Sequence, residues 1–313
     1  MPITSRPYVQ FDADKGQLVS DVDAIQVEAL FKSEGALLFR GFGANIDQFR
    51  SFARRFCPTS VINESPGRTP IDMAHGIQTV DGGTEAFALH PELAREPWKP
   101  DAALFACLSP PTIGGATTIC DGIAIAKALP ENVRQGLTAR RLLHVQRAWP
   151  EMLQYWLGTA DPSDTQLAAP PPSCPYEFLR YDGGIARIFS RPALHRPLFS
   201  EELAFGSFLL FARFNNGRRD FPVLDDGEPV PESWLQAIKT TADSLAVPIA
   251  WQAGDILMLD NSRFLHGRTA IEDTKERLIA TFFGYLNFAP RNAEEPVDPV
   301  WRKADFRPPM SPL

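Results

Sequence analysis

Long apolar runs are missing from this chain of 313 residues. Stretches such as Ser207-Phe208-Leu209-Leu210-Phe211-Ala212 fall far short of the ~20 residues that a membrane-spanning helix needs. The opening stretch, 1–11, holds no apolar segment long enough for a signal peptide, so the expected compartment is the cytoplasm. Cysteine is scarce. The four present (Cys57, Cys107, Cys120, Cys174) form no Cys-x-x-Cys pair, which disfavours a zinc ribbon or a disulfide scaffold and predicts reduced core thiols. An excess of positive charge is also missing: the net charge is -7 and no basic stripe runs along the chain. A surface that neutralises phosphates is not expected, and neither is a nucleic-acid partner.

The composition that remains, 44% hydrophobic and 22% charged, is that of a globular chain. Twenty-nine prolines, 21 glycines and 22 phenylalanines predict many short strands and turns rather than a helix bundle. Helical patterning predicts segments at 21–32, ending before Gly35, and at 46–56, closed by Cys57-Pro58. Further helices are expected at 124–137, broken by Pro130, and at 234–245 with Ser233 as N-cap. Strands are expected at 36–41, 103–108, 186–189, 208–211, 255–259 and 278–283. Two excursions, 160–175 and 215–231, have the length of lids or plain surface loops, and the Pro-rich tail from Pro290 is expected on the surface. No internal repeat or linker appears, so residues 1–313 read as one domain.

Only five histidines are present, and two stand in unusual company. His90-Pro91-Glu92 sets an imidazole and a carboxylate at i and i+2, which share one face of an extended strand. Far downstream, Gly254 to His266 reads as a turn, a buried strand and a second turn ending in His266. Two neutral imidazoles and one carboxylate form a facial triad that suits Fe(II) and leaves coordination positions open. His75, His144 and His195 have no such context and read as packing or surface residues.

Four motifs stand in register along the chain. They are Leu89-His90-Pro91-Glu92-Leu93; Gly114-Gly115-Ala116-Thr117-Thr118 with Asp121-Gly122; Gly254-Asp255, Leu259-Asp260-Asn261 and His266-Gly267-Arg268; and Glu276-Arg277-Leu278. Thr117 follows His90 by 27 residues, and Arg277 follows His266 by 11. In these features the chain resembles the taurine-dioxygenase-like (TauD/TfdA-type) family of Fe(II)/2-oxoglutarate-dependent oxygenases. The resemblance implies a mainly β fold with flanking helices, a double-stranded β-helix (jelly roll). It implies that His90, Glu92 and His266 bind Fe(II), that Arg277 grips the distal carboxylate of 2-oxoglutarate with a hydrogen bond from Thr117, and that O2 is the other co-substrate. A guanidinium gives a carboxylate the two-pronged, charge-assisted grip that lysine lacks. Arg268 is the competing clamp.

Two departures bear on the substrate. The carboxylate ligand is Glu92 rather than the family's common Asp, a form similar to a subgroup that hydroxylates amino acids and biosynthetic intermediates. Taurine-type enzymes carry a second Arg four residues after the first, and here that position is Thr281, which disfavours a sulfonate held in that way. By family position Asn63, Ser65, Arg68, Gln78 and Phe87 should approach the iron, although each reads equally as a turn or core residue. The resemblance therefore implies a small-molecule oxygenase, with hydroxylation the default and desaturation, cyclisation or epoxidation the alternatives on the same residues. A zinc hydrolase or isomerase on the same ligands and a non-catalytic binding module are the rivals. The first leaves Arg277 and Thr117 without a role, and the second has no need of three metal ligands.

Overall fold

Residues 6–273 and 277–309 are described by the computed structural model of this chain; Glu276 of the last motif lies outside them. The first strands are β1 (Val9–Asp12), β2 (Ala36–Arg40), β3 (Thr59–Val61), β4 (Pro70–Asp72) and β5 (Ile77–Thr79). After them come β6 (Phe87–His90), β7 (Ala102–Ser109), β8 (Thr117–Asp121), β9 (Arg141–Arg147), β10 (Glu177–Tyr181) and β11 (Gly184–Pro192). The last are β12 (Val223–Leu224), β13 (Val247–Ile249), β14 (Ile256–Asp260), β15 (Phe264–Arg268) and β16 (Leu278–Tyr285). The helices are α1 (Ala24–Glu34), α2 (Ile46–Phe56), α3 (Gly122–Ala128), α4 (Glu131–Thr138), α5 (Pro150–Leu157), α6 (Asp164–Ala168), α7 (Leu209–Phe214) and α8 (Glu232–Leu245).

A large sheet runs β1-β2-β14-β7-β16-β5-β4, with β3 also paired to β16. A smaller sheet runs β13-β8-β15-β6, and a third β10-β11-β9-β12. Side-chain alternation explains the layering. Leu37, Phe39, Leu104, Met258 and Phe282 of the large sheet pack on Phe31 of α1 and Phe49, Phe52 and Phe56 of α2. Their neighbours Leu38, Phe105, Leu257 and Phe283 face the other way, onto Ile119 and Phe264 of the smaller sheet. The smaller sheet alternates in turn: Cys120 and Leu265 meet α3, α4 and α8 on its far side. The strands β2, β7 and β14 are covered on both faces, which is why they read as continuous apolar runs.

Local signals account for most helix ends. Asp23 caps α1, and Gly35 ends it in the left-handed region (φ 77°). Asn45 and Gln48 form a capping box on α2. Pro130 divides α3 from α4, as its missing N–H requires. Three expectations fail. Residues 208–211 form no strand: Phe208 is the N-cap of α7, whose Leu209, Leu210 and Ala212 are buried. An apolar run of that length has no period of its own, and packing decided it. α8 starts at Glu232 after Pro231, with Ser233 already inside the helix. The tail is not merely superficial: Trp301 is buried, and Arg302 grips Asp101 through two bonds of 2.8 Å. No helix among the described residues is long and apolar enough to cross a membrane.

Candidate active site

Strand pairing brings the two distant histidines together. β15 lies between β8 and β6, and His266 pairs directly with His90. Their rings are 4.7 Å apart, and Phe105 of the large sheet stands 5.0 Å from the His266 ring. Glu92 follows two residues beyond His90, buried to 2% exposure. The candidate ligand atoms of His90, Glu92 and His266 all lie within 4.8 Å of one another.

Each ligand is prepared by its neighbours. His90 Nδ1 lies 2.8 Å from the Ala88 carbonyl oxygen. A carbonyl only accepts, so Nδ1 carries the proton and Nε2 presents its lone pair. Burial and the adjacent His266 hold the His90 pKa down at about 3, so the ring is neutral at ordinary pH. The His266 Nε2 lies 3.6 Å from Glu92 Oε2, while its Nδ1 is buried without a partner among the described residues, so a metal on Nε2 would fix the proton on Nδ1. Burial pushes the Glu92 carboxyl up, but Arg68 and the two imidazoles outweigh it and keep Glu92 ionised. Two neutral imidazoles and a carboxylate are the donor set that fits Fe(II).

Several residues expected to meet a substrate are engaged with Glu92 or with one another. Asn63 Nδ2 donates to Glu92 Oε1, and Arg68 donates to Oε2 at 3.1 Å and to Thr281 at 3.2 Å. The Gln78 amide is spent on the Asn63 backbone, at 3.1 and 3.3 Å. Ser65 Oγ donates to Asp81 at 2.5 Å, and Phe87 lies 4.2 Å under the Arg268 guanidinium. The Glu92 backbone is pinned from another side. Asn261 Oδ1 accepts from Glu92 N at 2.7 Å, and Asn261 Nδ2 donates to the Glu92 carbonyl at 3.0 Å.

Thr117 and Arg277 open onto the same cavity, of about 680 Å³, as the three ligands. Trp251 Nε1 donates to Thr117 Oγ1 at 3.0 Å, which turns the hydroxyl proton elsewhere. Arg277 Nε donates to the Gly115 carbonyl at 3.0 Å. Burial and the neighbouring Arg268 hold the Arg277 pKa down at about 10, with no carboxylate of the described residues contributing. A buried cation without a counter-charge is costly, and a bound anion removes the cost. Gly114 and Gly115 take φ of +70° and +65°, and a Cβ on Gly115 would stand 3.1 Å from Arg277, so this approach needs glycine. Arg268 is committed elsewhere: it donates to the carbonyls of Asp81, Gly83 and Glu85 at 2.7, 3.1 and 2.7 Å.

His75 pairs with Asp72 at 2.9 Å on the surface, His195 Nε2 lies 2.7 Å from the Ser262 carbonyl oxygen, and His144 packs on Phe189 and Phe221. No residue of 160–175 lines the cavity, whereas Asn216 of the second excursion and Pro308 and Pro309 of the tail do. Patterning gave no hint of three contributors. Asn215 ties the edge of β6 through Ala88 N (2.7 Å) and the Ala86 carbonyl (2.9 Å). Arg187 and Trp149 line the cavity from β11 and the start of α5.

Comparison with known proteins agrees with this arrangement. A family model described as "Taurine catabolism dioxygenase TauD, TfdA family" matches residues 3–282. The chain is 22% identical over 308 residues to the dapdiamide synthesis protein DdaC of Enterobacter agglomerans, covering 90% of this chain and 88% of that protein. It is 25% identical over 273 residues to an alpha-ketoglutarate-dependent 2,4-dichlorophenoxyacetate dioxygenase of Cupriavidus pinatubonensis (strain JMP 134 / LMG 1197), covering 82% and 86%. The crystal structure of PvcB from Pseudomonas aeruginosa superimposes with a TM-score of 0.58 at 15% identity over 91% of this chain and 88% of that one. The chain belongs to the TauD/TfdA dioxygenase family.

Proposed function

We propose that residues 1–313 form a single Fe(II)/2-oxoglutarate-dependent dioxygenase domain built on a double-stranded β-helix (jelly roll). Its substrate is a small molecule, an amino-acid-like or natural-product biosynthetic intermediate, oxidised at an unactivated C–H bond. The observation that carries the reading is one cavity holding both the His90/Glu92/His266 cluster and the guanidinium of Arg277, which meets no carboxylate among the described residues. A zinc hydrolase on the same ligands leaves that guanidinium without a task. Among the relatives, a dapdiamide synthesis protein and an oxygenase from an isonitrile synthetic pathway carry biosynthetic names, which favours a biosynthetic substrate.

In this reading His90 Nε2, His266 Nε2 and a Glu92 oxygen hold Fe(II). Asn63, Arg68 and Asn261 keep Glu92 in place. Arg277 holds the distal carboxylate of 2-oxoglutarate by a two-pronged contact, and Thr117 adds a hydrogen bond from the hydroxyl that Trp251 orients. When bound, the metal and 2-oxoglutarate supply the oxidising power: O2 is reduced as 2-oxoglutarate loses CO2 to become succinate, and the substrate C–H bond is oxidised. The walls fix which C–H bond is presented, a matter of small displacements.

Anaerobic addition of Fe(II) and then 2-oxoglutarate to metal-free protein tests this. A weak visible charge-transfer band that requires both additions is expected. Iron binding without any band would remove 2-oxoglutarate from the reaction.

A further inference from the structure

The cavity has a second polar pole that metal and 2-oxoglutarate binding leave unused. Arg187, 4% exposed, donates from Nη1 to Glu96 Oε2 at 3.1 Å and to the Tyr176 hydroxyl at 2.6 Å, and from Nη2 to Gln146. Arg95 Nε stands 3.6 Å from the other Glu96 oxygen. Two guanidinia around one carboxylate leave one positive charge over. Glu64, an exposed residue that lines the same cavity, has no hydrogen bond or ion pair among the described residues, and partial desolvation together with Glu96 pushes its carboxyl up. That leaves one negative charge over. Among the described residues two buried donors also lack partners, Arg187 Nε and Trp149 Nε1, and the Arg187 guanidinium lies 5.0 Å over the Trp149 ring.

An aromatic run joins this pole to the metal ligands. The Phe211 ring is 4.5 Å from the His90 ring and 5.2 Å from Phe208, and Arg95 lies 5.4 Å over Phe208. The geometry points to an α-amino acid as substrate: its carboxylate meets Arg187, Trp149 and Arg95, its ammonium meets Glu64 and Glu96, and its side chain runs along Phe208 and Phe211 toward His90. A simple acid or a simple amine answers only one of the two leftover charges and forgoes the charge-assisted contact with the other. An α-amino acid carries both charges on one carbon. This assignment rests on the dioxygenase reading of the same cavity.

The test uses protein loaded anaerobically with Fe(II) and 2-oxoglutarate, its charge-transfer band verified first. Each of the twenty amino acids, the amine left by its decarboxylation and the acid left by its deamination are titrated calorimetrically. At least one amino acid is expected to bind at least about tenfold more tightly than its amine and its acid, the ratio for one charge-assisted contact. Glu64→Gln should weaken that amino acid about tenfold while leaving the band and the deaminated acid's affinity unchanged. Trp149→Phe, which keeps the ring and removes the donor, should weaken the amino acid and the deaminated acid but not the amine. With the band intact, no amino acid binding, or the amine or acid binding equally well, overturns this assignment alone. Absence of the band from the wild-type protein overturns the dioxygenase reading and this assignment with it.

Discussion

Arg277→Met should move stability and co-substrate affinity in opposite directions. Burial and Arg268 hold the guanidinium near a pKa of 10, a depression worth about 3 kcal/mol of unfavourable charge burial. The group is a base with a lowered pKa and is protonated in both folded and unfolded chains through neutral pH. The penalty is therefore constant there and fades only as the pH rises through about 10. Methionine removes it and loses one hydrogen bond to Gly115, about 1 kcal/mol. The metal-free variant should therefore be about 2 kcal/mol more stable, a rise of several degrees in Tm. Binding of 2-oxoglutarate loses a two-pronged, charge-assisted contact of roughly 3–5 kcal/mol, a weakening of roughly 150- to 4,000-fold. Scanning fluorimetry of the metal-free protein and titration of the anaerobic charge-transfer band measure the two effects. A lower Tm with unchanged 2-oxoglutarate affinity would refute the reasoning, make Arg277 a structural charge and return the clamp to Arg268.

Four further outcomes are expected. His90→Ala and Glu92→Ala should both abolish turnover, and Glu92→Ala should in addition cost about 3 kcal/mol because buried Arg68 loses its partner; equal Tm values would contradict this, and undiminished turnover in both would sink the metal assignment. Gly115→Ala, strained at φ +65° and 3.1 Å from Arg277, should raise the 2-oxoglutarate requirement roughly tenfold beside a small loss of Tm; unchanged dependence on 2-oxoglutarate would show that this approach does not position Arg277. His90, His144 and His195 are each held at about 3 mainly by burial, so they stay neutral in the fold while the unfolded chain takes up their protons below about 6.5. Stability of the metal-free protein should be indifferent to these three above that pH and fall below it by at most about 4 kcal/mol per pH unit, which chemical denaturation at stepped pH would show. Asn261→Ala should weaken Mn(II) binding, followed by electron paramagnetic resonance, because the backbone of Glu92 loses both of its side-chain contacts; unchanged affinity would reduce Asn261 to a fold residue.

The motifs that carried the resemblance divide into two kinds in the structure. His90, Glu92, His266, Thr117 and Arg277 surround one cavity. Others are scaffolding. Asp255 binds Arg40 at 2.7 Å and ties the turn before β14 to the end of β2, and Asp121 caps α3 while holding Arg263 at 2.7 Å. Their turns were legible because Asp121 caps α3 and Asp255 accepts from Gln252 within a few residues, whereas their arginine partners lie far away in the chain. The destinations of Asn63, Arg68 and Gln78 were not, because a polar side chain in a turn carries no sign of which distant group it meets.

By itself the sequence determined the ligand chemistry, the β-rich character and the helix ends set by Asp23, Asn45 and Pro130, because these follow from residue type and short-range backbone preference. Tertiary structure decided the rest. It put the apolar run at 208–211 into a helix whose Phe211 meets His90, since a run without a period takes the form that its packing favours. It also brought Arg187, Glu96, Glu64 and Trp149 to one cavity from separate segments, a juxtaposition that only the long-range packing of the chain can create.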